Sequence, residues 1–220
     1  MRFPHRREAG QDLALRLREA ASGGDLPRPV VLALPRGGVP VAAEVARALG
    51  APLDVLVVRK IGAPGRPEAG VGALAGEDPP LFDRRTLGLL DLDEADLAAD
   101  VARERAELRR RTLRYRGERP APDVRDRTVI LVDDGLATGV TARAALRHLR
   151  RQAPARLILA VPVGAPETVA ALRPEADDVL CLSQPPDFGA VGLWYDDFGQ
   201  VTDEEVIALL DAHRPPAGER

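Results

Sequence analysis

The chain is poor in several things. One cysteine, Cys181, stands alone among 220 residues. No disulfide can form within the chain, and this usage fits a reducing, cytoplasmic setting. Seven residues are aromatic: one Trp, two Tyr and four Phe. No apolar run approaches the roughly 18 residues that span a bilayer. The Arg-rich stretch from Met1 to Gly10 has no apolar signal core behind it. Neither sign of charge dominates, since the net charge is −3 and the pI is near 5.7. Such a balance argues against a partner that is nucleic acid or a membrane surface. Lysine is almost absent: of 31 basic residues, all but Lys60 are arginine. Lys60 marks either chance or a need for a compact point charge that arginine's planar fork cannot copy.

What is present is a globular composition, with 45% hydrophobic and 30% charged residues. The length suits a single domain over residues 1–220 with a core of its own. Asp12 to Ala21 reads as an amphipathic helix through Leu13 and Leu17. Val30–Leu34, Leu53–Val58, Thr128–Val132, Leu157–Val163 and Asp178–Leu182 are short apolar runs, as strands buried on both faces are. Between and after them, Val39–Leu49, Asp93–Arg114, Val140–Arg151, Pro166–Leu172 and Asp203–His213 read as helices. Residues 61–77, rich in Gly, Pro and Ala, read as a long mobile loop with room for a short hairpin. Buried strands alternating with helices predict an α/β fold, a parallel sheet flanked by helices. Its core is expected over about 25–183, with a small C-terminal hood over about 184–213.

Ligands of such sheets sit beyond the carboxyl ends of the strands. Three segments fall there: Pro35 to Gly38, Arg59-Lys60, and Asp133 onward. The last is the most informative. Val129-Ile130-Leu131-Val132 runs into Asp133-Asp134-Gly135-Leu136-Ala137-Thr138-Gly139-Val140-Thr141. A buried strand ends in two carboxylates, and a loop with two glycines and two threonines then opens a helix. Backbone N–H groups at such a helix start cradle phosphate. Two adjacent carboxylates suit ribose hydroxyls, directly or through a metal. The spacing is neither that of a Walker loop nor that of the dinucleotide fingerprint. A capped turn explains one Asp and one Thr here, but not the whole order.

This thirteen-residue segment resembles the phosphoribosyl-diphosphate (PRPP) signature of type I phosphoribosyltransferases. Within that family the chain is most similar to a bacterial branch of predicted phosphoribosyltransferases. The resemblance implies that Asp133 and Asp134 bind the ribose. It implies that Gly135, Ala137, Thr138, Gly139 and Thr141 bind the 5-phosphate. Pro35-Arg36-Gly37-Gly38 resembles the family's pyrophosphate loop, so Arg36, Gly37 and Gly38, with Lys60, are implied diphosphate ligands. A non-proline cis bond in that loop is a further family expectation. Residues 61–77 resemble the flexible catalytic loop, where Glu68 is the first acid. The implied cofactor is Mg²⁺, carried through the substrate, with Asp133 and Asp134 as candidate contacts. Small-molecule substrates (PRPP and a base) and a homodimer are implied as partners.

The acceptor is less determined. Where 6-oxopurine members of the family carry an Asp, Ala137 stands here. Leu136 to Gly139, Arg59-Lys60 and Pro35 to Gly37 look like adenine phosphoribosyltransferases, whereas Val191 to Phe198 resembles the base-binding stretch of hypoxanthine-type enzymes. Four of the seven aromatics lie from Phe188 to Phe198. Trp194, Tyr195 and Phe198, with Asp197, are candidates for a base pocket; a packing cluster or a dimer contact is the alternative. A PRPP-sensing regulator and a transferase with a non-base acceptor remain open. His5, His148 and His213 have no metal-ligand spacing and are expected at the surface.

Overall fold

A computed structural model describes residues 1–22 and 26–213, without the side chains of residues 20–22, 67 and 68. Five strands form one parallel sheet: β1 (Val30–Ala33), β2 (Leu53–Val55), β6 (Thr128–Val132), β7 (Arg156–Val163) and β8 (Asp178–Ser183). Their order is β2-β1-β6-β7-β8, and every pairing is parallel. The chain moves outward from β1 to β2, then returns to the other side of β1 as β6. The sheet therefore reverses its winding between β1 and β6, where a crevice opens at the carboxyl ends.

Strand side chains alternate between two cores. Val31, Ala33, Ile130 and Val132 face one side, with α1 (Arg6–Ser22), α2 (Gly38–Leu49), α4 (Ala98–Arg116) and α7 (Asp203–Ala212). Val30, Leu32, Val129 and Leu131 face the other, with α5 (Val140–Arg150) and α6 (Pro166–Leu172). Burial on both faces explains why these strands read as unbroken apolar runs. The sequence places all five within a residue or two, except that β2 stops at Val55. Among the described residues, no helix is long and apolar enough to cross a membrane.

Residues 61–77 do hold a hairpin, for which the sequence left room, but it takes up nearly the whole segment instead of a short part of a loop. Val58–Ala63 (β3) pairs antiparallel with Arg66–Ala75 (β4), and Leu81–Phe82 (β5) joins as a third strand. Pro64 and Gly65 form the turn, Gly65 taking φ +70°. Proline followed by a left-handed glycine is the residue pair that a tight turn demands. The base of the hairpin is anchored: Ala73 and Ala75 pack on Ala144 of α5. Asp78 pairs with His148 at 2.9 Å, so His148 is largely covered rather than at the surface. Arg109 holds Glu77 through two hydrogen bonds. The backbone of Glu68 lies in β4, while its side chain falls outside the described atoms.

A short helix, α3 (Arg84–Leu90), follows; Asp83 caps it by accepting from the N–H groups of Arg85 and Thr86. α4 starts at Ala98, later than Asp93, because Asp93 folds a local turn by accepting from the N–H groups of Ala95 and Asp96. The hood draws on both ends of the chain. Phe3 bridges Tyr195 in parallel register, and Phe3 N–H donates to the Trp194 carbonyl. α7 packs against α2 and α4.

Candidate functional site

The crevice is assembled from the two strands at the winding reversal. After β1, Leu34 N–H still bonds the Val132 carbonyl of β6. The Pro35-Arg36 peptide is cis, as the resemblance implies, and Gly37 leads into α2. The two glycines here touch the acid pair directly. A Cβ on Gly37 would lie 2.0 Å from Asp134 Oδ2, and one on Gly38 would lie 2.8 Å from the Val132 carbonyl. Any side chain would displace the carboxylate, so the loop and the acids can meet only with glycine present.

Asp133 and Asp134 follow the last residue of β6. The Asp133 carboxylate accepts the N–H of Asp134 at 2.9 Å. Burial raises the pKa of Asp133 well above the ordinary carboxylate range, and the charge of Asp134 adds to it. Burial raises Asp134 too, opposed by Arg6, whose Nε donates to Asp134 Oδ2 at 2.8 Å. The Tyr195 hydroxyl donates to the Asp134 carbonyl at 2.6 Å.

The loop beyond the acids is fixed on one side and open on the other. Leu136 exchanges backbone hydrogen bonds with Val163 and Ala165, and Thr168 Oγ1 donates to the Ala137 carbonyl at 2.6 Å. Gly135 packs so closely on Val191 and Val163 that a Cβ would clash. Ala137 and Thr138 are exposed. Gly139, at φ +71°, is the N-cap of α5; no side chain caps the helix, and no acid lies in its first turn. A left-handed cap favours glycine, and an uncapped helix start leaves N–H donors and a partial positive charge facing outward. Thr141 lies in that first turn, half-buried.

The other candidates are dispersed. Arg36 points across to Asp203 at the start of α7, 3.8 Å away. Lys60 is exposed on the hairpin and makes no ion pair among the described residues. It pairs across from Ala73, which packs on α5, so by strand alternation it stands on the α5 side of the hairpin. Its neighbour Arg59 faces the other way and binds Glu104 at 2.7 Å. Of the four candidate base-pocket residues, Tyr195 is 2% exposed, packed between Phe3 and Phe198. No face of its ring is open to a ligand. Trp194 spends its N–H on the Phe188 carbonyl at 2.8 Å. Phe198 is 38% exposed, and Asp197 is at the surface, accepting the N–H of Gly199. A cleft of about 540 Å³ opens between Ala137 and Thr138 on one side and Pro186 to Gly189 on the other. A larger cavity, about 710 Å³, lies between α4 and the end of α5 and shares none of these residues.

Comparison with known proteins bears on this arrangement. The model of the phosphoribosyl transferase domain matches residues 6–197. The chain belongs to this family. Two phosphoribosyl transferase candidates from Mycobacterium tuberculosis, strains CDC 1551 and H37Rv, are each 44% identical over 213 residues. That alignment takes in 96% of this chain and 47% of each relative, so the chain spans about half the length of the curated relatives it matches. The crystal structure of TT1426 from Thermus thermophilus is 47% identical and superposes with a TM-score of 0.81, covering 98% of this chain and 100% of that one. A hypoxanthine phosphoribosyltransferase from Staphylococcus aureus shares the fold at 11% identity and a TM-score of 0.50, over 85% of this chain and 78% of that one.

In this member of the family the acid pair, the glycine loop and the uncapped helix lie together, with Tyr195 bonded to the backbone of Asp134, while Lys60 stands out on the hairpin. Sequence reasoning missed Arg6. The Arg-rich start of the chain was the only signal, and nothing in it distinguished Arg6 from Arg2 or Arg7.

Proposed function

We propose that the protein transfers the 5-phosphoribosyl group of PRPP to a ring nitrogen of a nitrogenous base, a purine or related heterocycle, and releases diphosphate. The observation that carries this reading is the contact of Gly37 and Gly38 with Asp133 and Asp134, beside the uncapped start of α5. One crevice offers ribose acceptors between the Gly37 N–H with Arg36 on one side and the open N–H groups of α5 on the other, as a sugar phosphorylated at both ends requires.

In this reading Asp133 and Asp134 accept from the ribose 2- and 3-hydroxyls. The N–H groups of residues 137–141, with the hydroxyls of Thr138 and Thr141, hold the 5-phosphate. The N–H group of Gly37 takes the diphosphate, while that of Gly38 stays on the Leu34 carbonyl and holds the loop in place. Arg36 swings from Asp203 to join the Gly37 N–H, and Lys60 approaches from the hairpin. The C1–O bond to diphosphate breaks as the C1–N bond to the base forms, so negative charge grows where these cations converge. Covering the crevice with the hairpin would keep water from the sugar cation.

Among the described residues no group of three or more metal-ligating side chains forms. Two carboxylates are too few for an all-protein Mg²⁺ site, but they fit an ion that arrives on substrate oxygens and keeps its waters. When bound, Mg²⁺ would offset the charge on the leaving diphosphate. The test is diphosphate release from Mg²⁺-PRPP, first alone and then with each common purine and pyrimidine. Release that requires one base supports the transferase and identifies the acceptor. No release with any base would reject base transfer.

A further inference from the structure

Arg6, the first residue of α1, is 11% exposed in its side chain, and its partner Asp134 is 14% exposed. The guanidinium makes three contacts at once. Nε donates to Asp134 Oδ2 at 2.8 Å, and Nη1 donates to the Gly199 carbonyl at 2.8 Å. Its central carbon sits 3.9 Å above the centre of the Phe198 ring. One planar cation therefore joins a ribose-site carboxylate to the hood stretch that carries Phe198 and Gly199. A lysine could not do this, because its ammonium is a single point with no flat face to stack.

We propose that Arg6 is a positioning residue that transmits occupancy of the ribose site to the hood. The proposal rests on the PRPP reading of the site. A ribose hydroxyl that donates to Asp134 competes for the carboxylate that Arg6 holds. Gly37 packs against the same oxygen, which leaves the carboxylate little room to turn without moving the guanidinium. Any shift of Arg6 is felt by the Gly199 carbonyl and by Phe198. Donor binding at the acids and the conformation of the hood are then linked, and such a linkage is a coupling free energy that acts in both directions. Trp194, the chain's one tryptophan, lies in this hood stretch and reports its state.

The experiment titrates the full chain with Mg²⁺-PRPP, following binding heat by calorimetry and Trp194 emission in parallel. The wild type is expected to show an emission change with the same midpoint as the heat. In Arg6→Lys, which keeps a cation opposite Asp134 with a looser grip, PRPP is expected to bind within about 10-fold of the wild type. At saturation its Trp194 change is expected to shrink by about fivefold or more. A merely structural clamp would loosen the hood with or without PRPP and leave the PRPP-dependent change intact. A full-sized change in Arg6→Lys, or a wild type that binds PRPP with Trp194 silent, overturns the proposal. Absence of binding heat in the wild type instead overturns the PRPP reading on which it rests. Should Arg6→Lys lose its cooperative melting, Phe198→Leu keeps the ion pair and removes only the stacking face. It is expected still to bind PRPP but to show at most about half of the Trp194 change at saturation, and an undiminished change overturns the proposal equally.

Discussion

α5 and α7 begin in opposite ways. α7 starts on Thr202, which accepts the N–H of Glu205 while Glu205 bonds back to the Thr202 N–H. Asp203, Glu204 and Glu205 place three acids in its first turn. α5 starts on Gly139, with no side-chain cap and no acid in its first turn. A cap is worth about 1 kcal/mol and a first-turn acid a few tenths more. α7 takes that stability. α5 forgoes it, and the forgone groups are the donors that the proposed 5-phosphate would use. Absence of local stabilisation at α5 is therefore the more telling of the two observations.

The largest expected effect comes from removing the acids beside α5. Asp133→Asn with Asp134→Asn should weaken PRPP binding by more than about 100-fold, since each lost charge-assisted hydrogen bond is worth about 1.5–3 kcal/mol. Cooperative melting should persist, and calorimetry beside a melting curve checks both. Undiminished affinity would remove the ribose assignment. Next, Thr141→Asp makes the start of α5 resemble that of α7. Its melting midpoint should hold or rise slightly. Its PRPP affinity should fall roughly 30-fold, as about 2 kcal/mol of repulsion requires. A variant that binds PRPP normally would break the contrast between the two helices.

The reverse change is Thr202→Ala. It should cost about 1 kcal/mol and lower the melting midpoint by about 2–4 °C, with PRPP affinity unchanged. The smallest effect concerns pH. Tyr115 donates to Asp203 at 2.6 Å, and this bond, with Arg114 and Arg36, holds the Asp203 carboxyl below its usual range. Burial and that same partner push the Tyr115 phenol up to about 12. A lowered folded pKa contributes stability above the unfolded value of about 3.9 and loses it as pH falls through the folded value. Tyr115→Phe should therefore cost about 0.5–1 kcal/mol at pH 7, and its deficit against the wild type should shrink near pH 3. Urea midpoints at the two pH values measure this.

Legibility in the sequence followed burial. The five sheet strands were readable because both faces are covered, which leaves unbroken apolar runs such as Val129 to Val132. β4 was not readable. Gly70, Gly72 and three scattered alanines carry little strand propensity, and the strand is held instead by its pairing with β3 and by alanine-to-alanine packing on α5. α3 was missed although α6, equally short, was read: α6 opens on Pro166, a helix-start residue, whereas α3 carries Gly88 in its interior. At the site, the acids and glycines could be found since they are consecutive. Arg6 could not, because it meets Asp134 and Gly199 only through the tertiary fold.

Arg6 and Gly199 are 193 residues apart in the chain, which bears on how the protein is made. At ribosomal speeds the delay between them is roughly 10–40 s. Until the later residues emerge, Arg6 has neither the Gly199 carbonyl nor the Phe198 ring to hold it in place, and Asp134 lacks the Tyr195 hydroxyl. A half-made chain therefore carries its acid pair with a cation that nothing yet fixes. Completing the surroundings of the acid pair should be among the last folding events. A truncation that spares every strand of the sheet but stops before residue 195 would be expected to yield the sheet without the site.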